Sequence, residues 1–163
     1  MSEMKPSPVV KEAVRLNLDD YLPYRLSIAS NAVSRLIARA YEDRFGLTIP
    51  QWRLMAVLAE RPMTQQHVVV RTAMDKVTVS RAAHGLVSRH LVGRAAHGTD
   101  GRSHILALTD QGRDLHSEIA PLAIAYEAAL LAGLTPAEVE TMKRLLLRLE
   151  TAANRLSGEE APA

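Results

Sequence analysis

Residues 98–115, GTDGRSHILALTDQGRDL, place a basic residue in a Gly-rich turn, then a short apolar strand, and then at once the start of a helix. The preceding LVGRAA also has the character of a short strand. The two strands would pair as a hairpin through HGTDGRS, a turn rich in Gly and Asp, with Arg102 projecting from it.

The chain before this hairpin indicates helices. The apolar residues of the first helix recur at spacings of three and four and predict one long helix that ends near Phe45 and Gly46: Leu22, Leu26, Ala29, Val33, Leu36 and Ala40. Thr48 and Gln51 have the capping-box spacing at the start of a second helix, which would run to about Glu60 before Pro62.

Two shorter helices are predicted next. Thr64 would cap the first, QQHVVVRTAM, and the second lies in DKVTVSRAAHGLVSRHL. One side of this second helix is apolar, with Val79, Ala82, Ala83, Leu86, Val87 and Leu91. Its other side is mostly small, polar or basic, with Lys76, Thr78, Ser80, Arg81, His84 and Arg89.

This pair of helices is typical of DNA-binding proteins. A second helix that follows a tight turn and carries small polar and basic residues fits a DNA major groove, where Arg and Lys reach guanine or phosphate. The hairpin that follows would then be a wing, with its tip over the adjacent minor groove.

The charge distribution agrees with this interpretation. Residues 71–113 contain seven basic and three acidic residues, a local net charge of +4 in a chain whose formal net charge is +2. Four of the six histidines also lie there: His84, His90, His97 and His104. Such a basic segment favours a phosphate backbone as the partner, although a solvated basic face would have the same charge.

Several function classes are disfavoured. The chain has no cysteine, which excludes disulfides, thiol redox sensing, thiolate metal sites and cysteine nucleophiles. It also lacks a Gly-rich phosphate loop, a GxSxG motif and an HExxH motif, and its clustered histidines have no zinc-site spacing. We therefore expect no enzyme activity, cofactor or metal. No apolar run reaches membrane-spanning length and no signal-peptide pattern is present, so we expect a cytoplasmic protein with no membrane partner.

TAMDKVTVSRAAHGLVSRHLVGR and DGRSHILALTDQGRDL together resemble the winged helix of the MarR (multiple antibiotic resistance regulator) family, and the similarity extends through FGLTIPQWRLMAVLAE. The family's D-K-x-T-V-[ST]-R pattern is matched from Asp75 to Arg81. Its wing commonly reads D-R-R-S, whereas this chain has Gly101 in place of the first Arg. The family usually has Gly where this chain has His90, which leaves the end of the helix open.

The resemblance implies a mainly α fold with a small β-hairpin wing, arranged as an intertwined helical homodimer. Residues of about 48–109 would form the winged-helix lobe of a single-domain chain, and those of about 20–45 and 110–157 the dimerisation helices. In this arrangement the DNA-binding residues would be Thr64, Gln65, Asp75, Lys76, Thr78, Ser80, Arg81, His84, Arg89, Arg94, Asp100, Arg102 and Ser103.

The C-terminal half is also compatible with a dimer. Thr109 would cap one long helix, and Thr135, with Glu138 three residues on, would cap a second. The second helix has an apolar stripe wider than one intramolecular neighbour needs, formed by Val139, Met142, Leu145, Leu146, Leu149, Ala152, Ala153 and Leu156. The stripe would serve a partner subunit that presents a second recognition helix to a palindromic site, or else pack within the chain.

The family resemblance further implies a small effector, such as an aromatic carboxylate or a phenol. The candidate contacts are Tyr24, Arg25, Ser27, Asn31, Trp52, Arg53 and His116. An Arg would pair with a carboxylate while Trp52 stacked on a ring; alternatively, Trp52 belongs to the core and the arginines are solvated or at the dimer interface.

The sequence therefore predicts a DNA-binding transcriptional regulator, specifically a repressor released by its ligand. The alternative is a helical architectural or partner-binding module without ligand sensing. Such a module needs no base-reading polar face, and DKVTVSR argues against it.

Overall fold

The structure is a computed structural model that describes residues 15–96 and 104–158. Six helices in this part of the chain are α1 (Leu22–Phe45), α2 (Ile49–Glu60), α3 (Gln65–Thr72), α4 (Lys76–Ser88), α5 (Asp110–Leu131) and α6 (Pro136–Ser157). Three strands are β1 (Met63–Thr64), β2 (Val92–Ala96) and β3 (His104–Leu108). The mainly α fold predicted from the sequence is confirmed, with a sheet of three strands rather than a hairpin of two.

Threonine caps begin the helices where the sequence predicted them. The Thr48 and Thr135 side chains each accept a hydrogen bond from the backbone N–H three residues on and complete a capping box, with Gln51 and Glu138 respectively. Thr64 and Thr109 cap α3 and α5 by accepting from the backbone N–H of His67 and of Gly112. Each cap satisfies an N–H group that has no partner within its helix.

Strand β1 was absent from the sequence prediction, which had only the hairpin of β2 and β3. β3 lies in the centre of an antiparallel sheet of order β1-β3-β2. Its Leu106 is opposite both Met63 of β1 and Arg94 of β2. Because β1 has only two residues, it shows no alternation that could identify it as a strand.

The chain forms two compact units, Met1–Leu36 and Ile37–Ala163, with the boundary inside α1. In the described part of the first unit, Leu22, Ile28 and Leu36 are exposed. The second unit contains the hydrophobic core, to which α2 contributes Leu54 and Met55.

Taken one at a time, the helices of residues 15–96 and 104–158 lack the length and apolar character that a membrane span needs. Helices α5 and α6 satisfy the length and composition requirement only as a pair, bent by 105° at the break between them.

Candidate nucleic-acid interface

Helix α4 has one buried face and one exposed face. Val79, Ala82, Ala83 and Leu86 are buried in the core. The opposite face is exposed, with Lys76, Val77, Ser80, Arg81 and His84. This separation follows from the 3.6-residue turn of the helix, because residues three and four positions apart share a face. The structure therefore gathers most of the predicted DNA-binding residues of α4 on one surface.

Asp75 fixes the first turn of α4. Its carboxylate accepts hydrogen bonds from the backbone N–H of Thr78 at 2.8 Å and from the Thr78 hydroxyl at 2.6 Å. These bonds, led by that of the Thr78 hydroxyl, lower the pKa of Asp75. Asp75 is therefore ionised at neutral pH, and because both of its hydrogen bonds go to Thr78 it fixes the positions of the neighbouring side chains of the first turn.

The turn before α4 uses an uncommon backbone conformation. Ala73 ends α3 with φ of 52°, in the left-handed region. This geometry ends α3 at Thr72, two residues earlier than the predicted segment, and leads directly into the Asp75 cap. Farther back, Arg71 near the end of α3 pairs with Glu60 of α2 at 3.0 Å, so α3 is tied to the preceding helix.

A glycine allows α2 to lie close to α4. A Cβ at Gly85 would lie 2.5 Å from the Nε2 atom of Gln51, well inside van der Waals contact. Gln51 is itself held, because its Oε1 atom accepts from the backbone N–H of Thr48 at 3.0 Å. Helix α4 is thus supported on its inner side by the first turn of α2.

Helix α4 ends in a Schellman motif. The N–H of Leu91 donates to the Leu86 carbonyl at 2.9 Å and that of His90 donates to the Val87 carbonyl at 3.0 Å. His90 is left-handed, with φ of 57°. The helix end that the sequence left open therefore lies at Ser88, and His90 takes a position that usually favours Gly.

Arg89 does not extend the exposed face of α4. Its Nη1 atom donates to the Gly46 carbonyl at 2.8 Å and its Nη2 atom to the Phe45 carbonyl at 2.9 Å. These carbonyls lie at the C-terminal end of α1, which a cation stabilises. The structure thus gives Arg89 a capping role, and its contact with DNA stays a prediction.

The remaining predicted DNA contacts lie on α3 and around the wing. Thr64 and Gln65 are half-buried at the start of α3, where the Thr64 hydroxyl accepts from the N–H of His67 at 3.2 Å. Arg94 is exposed on β2. Asp100, Arg102 and Ser103 lie outside the described residues.

Two of the predicted effector contacts are brought together. The Trp52 ring of α2 stacks on the His116 ring of α5, with centroids 5.6 Å apart and an interplanar angle of 17°. Tyr41 of α1 packs on the same Trp52 at 5.1 Å. Burial lowers the pKa of His116 and raises that of Tyr41, so both rings favour their neutral forms.

The other predicted effector contacts lie on exposed parts of α1 and α2. Arg53 is exposed on α2. Four more lie in the first unit, on the N-terminal half of α1, and are exposed there: Tyr24, Arg25, Ser27 and Asn31.

The sequence prediction missed two residues, one in the aromatic stack and one on the outer face of α4. Tyr41, which is fully buried, follows Ile37 by four residues, and this spacing was the available signal. Val77 is 58% exposed on the outer face of α4. Its signal was an apolar residue outside the buried stripe of an amphipathic helix.

Comparison with known proteins places this geometry in a family. The model of the MarR family matches residues 45–103, which include α2 to β2. MgrA of Staphylococcus aureus, an HTH-type transcriptional regulator, is 28% identical over 131 residues, which cover 80% of this chain and 88% of MgrA.

Solved structures share the fold over nearly their whole length. A probable transcriptional regulator from Pseudomonas aeruginosa is 32% identical with a TM-score of 0.74, and the match covers 82% of this chain and 99% of that protein. A MarR/EmrR family regulator from Acinetobacter sp. ADP1 is 25% identical with a TM-score of 0.80, over 86% and 99% of the two chains. These matches show that the chain belongs to the MarR family of winged-helix transcription regulators, whose members bind DNA and are not enzymes.

Proposed function

We propose that this regulator is a homodimeric repressor that binds a palindromic operator and is released by a small aromatic or phenolic ligand. The observation that carries the proposal is the exposed face of α4, which sets basic and polar side chains directly opposite the buried face of the same helix. Such a helix enters a major groove without disturbing the core on which it rests.

The proposed DNA contacts follow from exposure and hydrogen bonding. Arg81 reads a base edge or a phosphate, and Lys76 and Arg94 contact phosphates. Thr64, Gln65, Thr78, Ser80 and His84 supply shorter polar contacts. Asp100, Arg102 and Ser103 keep the wing role that the family resemblance implies. Asp75 acts through Thr78, and Arg89 is left out because its guanidinium caps α1.

The exposed apolar stripe of α6 supports a dimer. None of its residues is buried, although Leu145, Leu146 and Leu149 follow one apolar stripe. An amphipathic helix that buries nothing within its own chain requires a partner for that stripe. A second copy of the same surface satisfies the requirement by two-fold symmetry and brings two α4 helices to one operator.

A matched pair of leucine variants tests the dimer. Leu146→Glu places a charge on the stripe, whereas Leu147→Glu places it on the next residue, which is outside the stripe and 63% exposed. Sedimentation should give monomers for Leu146→Glu and dimers for Leu147→Glu. Dimers of undiminished stability in both variants would contradict the proposed interface.

Ligand release is supported by the aromatic stack of Trp52 and His116 and by one structural neighbour. The structure of BpsR from Bordetella bronchiseptica, a protein whose DNA binding is regulated by 6-hydroxynicotinic acid, is 25% identical with a TM-score of 0.77. An aromatic ring would stack on Trp52, and the exposed Arg53 would pair with a carboxylate. Tyr24, Arg25, Ser27 and Asn31 stay predictions from the sequence.

Trp52 is the single tryptophan of the chain and therefore reports on this site. Titration with aromatic acids, including 6-hydroxynicotinic acid, should quench its fluorescence over the same concentrations that release operator DNA. Quenching without release would locate the ligand but contradict its regulatory role, and release that leaves Trp52 unaffected would exclude the stack as the site.

The experiment that tests the whole proposal measures binding to the upstream region of the chain's own gene and to random DNA across salt concentrations. Arg81→Ala should weaken specific binding by about 1–3 kcal/mol if Arg81 reads a guanine. An equal loss on random DNA would reassign Arg81 to phosphate. No preference of the unmodified protein for specific DNA would instead favour a helical architectural module.

A further inference from the structure

The outer face of α4 contains one apolar side chain among polar and basic ones. Val77 is 58% exposed, whereas the neighbours that share this face are Ser80, Arg81 and His84. It is the only large hydrophobic residue exposed on α4, a helix that the structure describes in full. Core packing therefore does not explain its presence there.

The direction of Val77 is set by the helix. At about 100° per residue, Val77 and the fully buried Leu86 point in opposite directions from the helix axis. Val77 thus occupies the middle of the exposed face, in the first turn, while Lys76 and Thr78 flank it. In a recognition helix, the N-terminal residues of this face reach the base edges.

The first turn is also rigid. Asp75 holds both the backbone N–H and the hydroxyl of Thr78, the residue that follows Val77. A β-branched side chain in a helix has essentially one preferred χ1 rotamer. Val77 therefore presents its two methyl groups in a fixed direction, and little side-chain entropy is lost when they make a contact.

Apolar groups in the major groove come from one source in unmodified DNA, the C5 methyl group of thymine. We propose that Val77 reads this methyl group and so specifies a T·A base pair in each half-site. This inference rests on the proposed function, because it requires α4 to lie in the major groove. The basic and hydroxyl side chains around Val77 then supply the hydrogen bonds and phosphate contacts that a valine lacks.

The test removes one methyl group at a time from the DNA. An operator is first selected from a random pool with the unmodified protein, and each thymine of a half-site is then replaced by uracil, which differs only by the absent methyl. The loss of one buried methyl group should weaken binding of the unmodified protein by about fourfold at the contacted position. The other thymine positions should change less.

Val77→Ala should bind thymine and uracil at that position with nearly equal affinity. The matched control is Val70→Ala, which makes the same substitution at an exposed valine of α3 and should keep the full discrimination. Alanine is a better helix former than valine, so Val77→Ala retains the helix.

Specific binding without any uracil effect at any position would overturn this inference and leave the proposed function intact. Equal discrimination in Val77→Ala and in the unmodified protein, or its loss in Val70→Ala, would overturn it as well. Failure of the unmodified protein to select any sequence would remove both this inference and the proposed function.

Discussion

Replacing His90 with Gly should stabilise the protein. His90 has φ of 57° and is exposed, and its N–H donates to the Val87 carbonyl in the motif that ends α4. A left-handed conformation costs an ordinary residue about 1–2 kcal/mol, and Gly in turn costs about 0.5–1 kcal/mol in backbone freedom. The backbone hydrogen bonds are unchanged, so we expect a net gain of about 0.5–1 kcal/mol in the free energy of unfolding.

The assay is urea unfolding at one fixed protein concentration, since a dimer makes stability concentration-dependent. His90→Gly should raise the midpoint without changing the slope, and raise Tm by about 1–4 °C. The matched control is His84→Gly, the same replacement at an exposed position inside α4, which should lower stability by about a few tenths of a kcal/mol. A decrease of similar size in both variants would refute the argument that His90 is held in a strained conformation.

Four other changes have defined outcomes. Gly112→Ala should lower the free energy of unfolding by about 1–3 kcal/mol, because its Cβ would lie 2.0 Å from the Leu91 carbonyl oxygen. The control Gly133→Ala, whose added Cβ would meet no other group within 4 Å, should have little effect in the same melts. Arg89→Ala should cost about 1 kcal/mol of stability yet leave the salt dependence of DNA binding unchanged; a reduced salt slope would return Arg89 to the DNA interface. Burial lowers the pKa of His116 in the folded protein, so the unfolded chain binds more protons. The free energy of unfolding should therefore fall as the pH drops through the ordinary histidine range towards that lowered value, and His116→Phe should abolish this loss. Melting temperatures between pH 7.5 and 5 that fall equally in both proteins would contradict this. Arg102→Ala should leave folding and dimerisation unchanged but weaken operator binding and flatten its salt slope by about one phosphate equivalent; operator affinity and slope equal to those of the unmodified protein would remove the wing from the interface.

Local contacts explain why much of the fold was predictable. Each helix cap joins a side chain to a backbone group three residues away, as at Thr48, Thr64, Thr109 and Thr135, and such a contact is encoded by spacing alone. The separation of buried and exposed residues on α4 is equally local, because it depends only on the helical repeat. For these reasons the sequence by itself determined the helices, the winged-helix class and the polar outer face of α4.

Contacts between residues distant in the chain decided the rest. Arg89 caps the carbonyls of Phe45 and Gly46, more than forty positions earlier in the chain. Trp52 stacks on His116, which is likewise distant in the chain. No local spacing in the sequence predicts either contact. Met63 and Thr64 became a strand only because β3 lies beside them. Helix α4 ends before the left-handed His90, and the residue after it, Leu91, is buried in the core. Only the tertiary structure decides these features, since burial and long-range hydrogen bonds select one conformation from several that the local sequence permits.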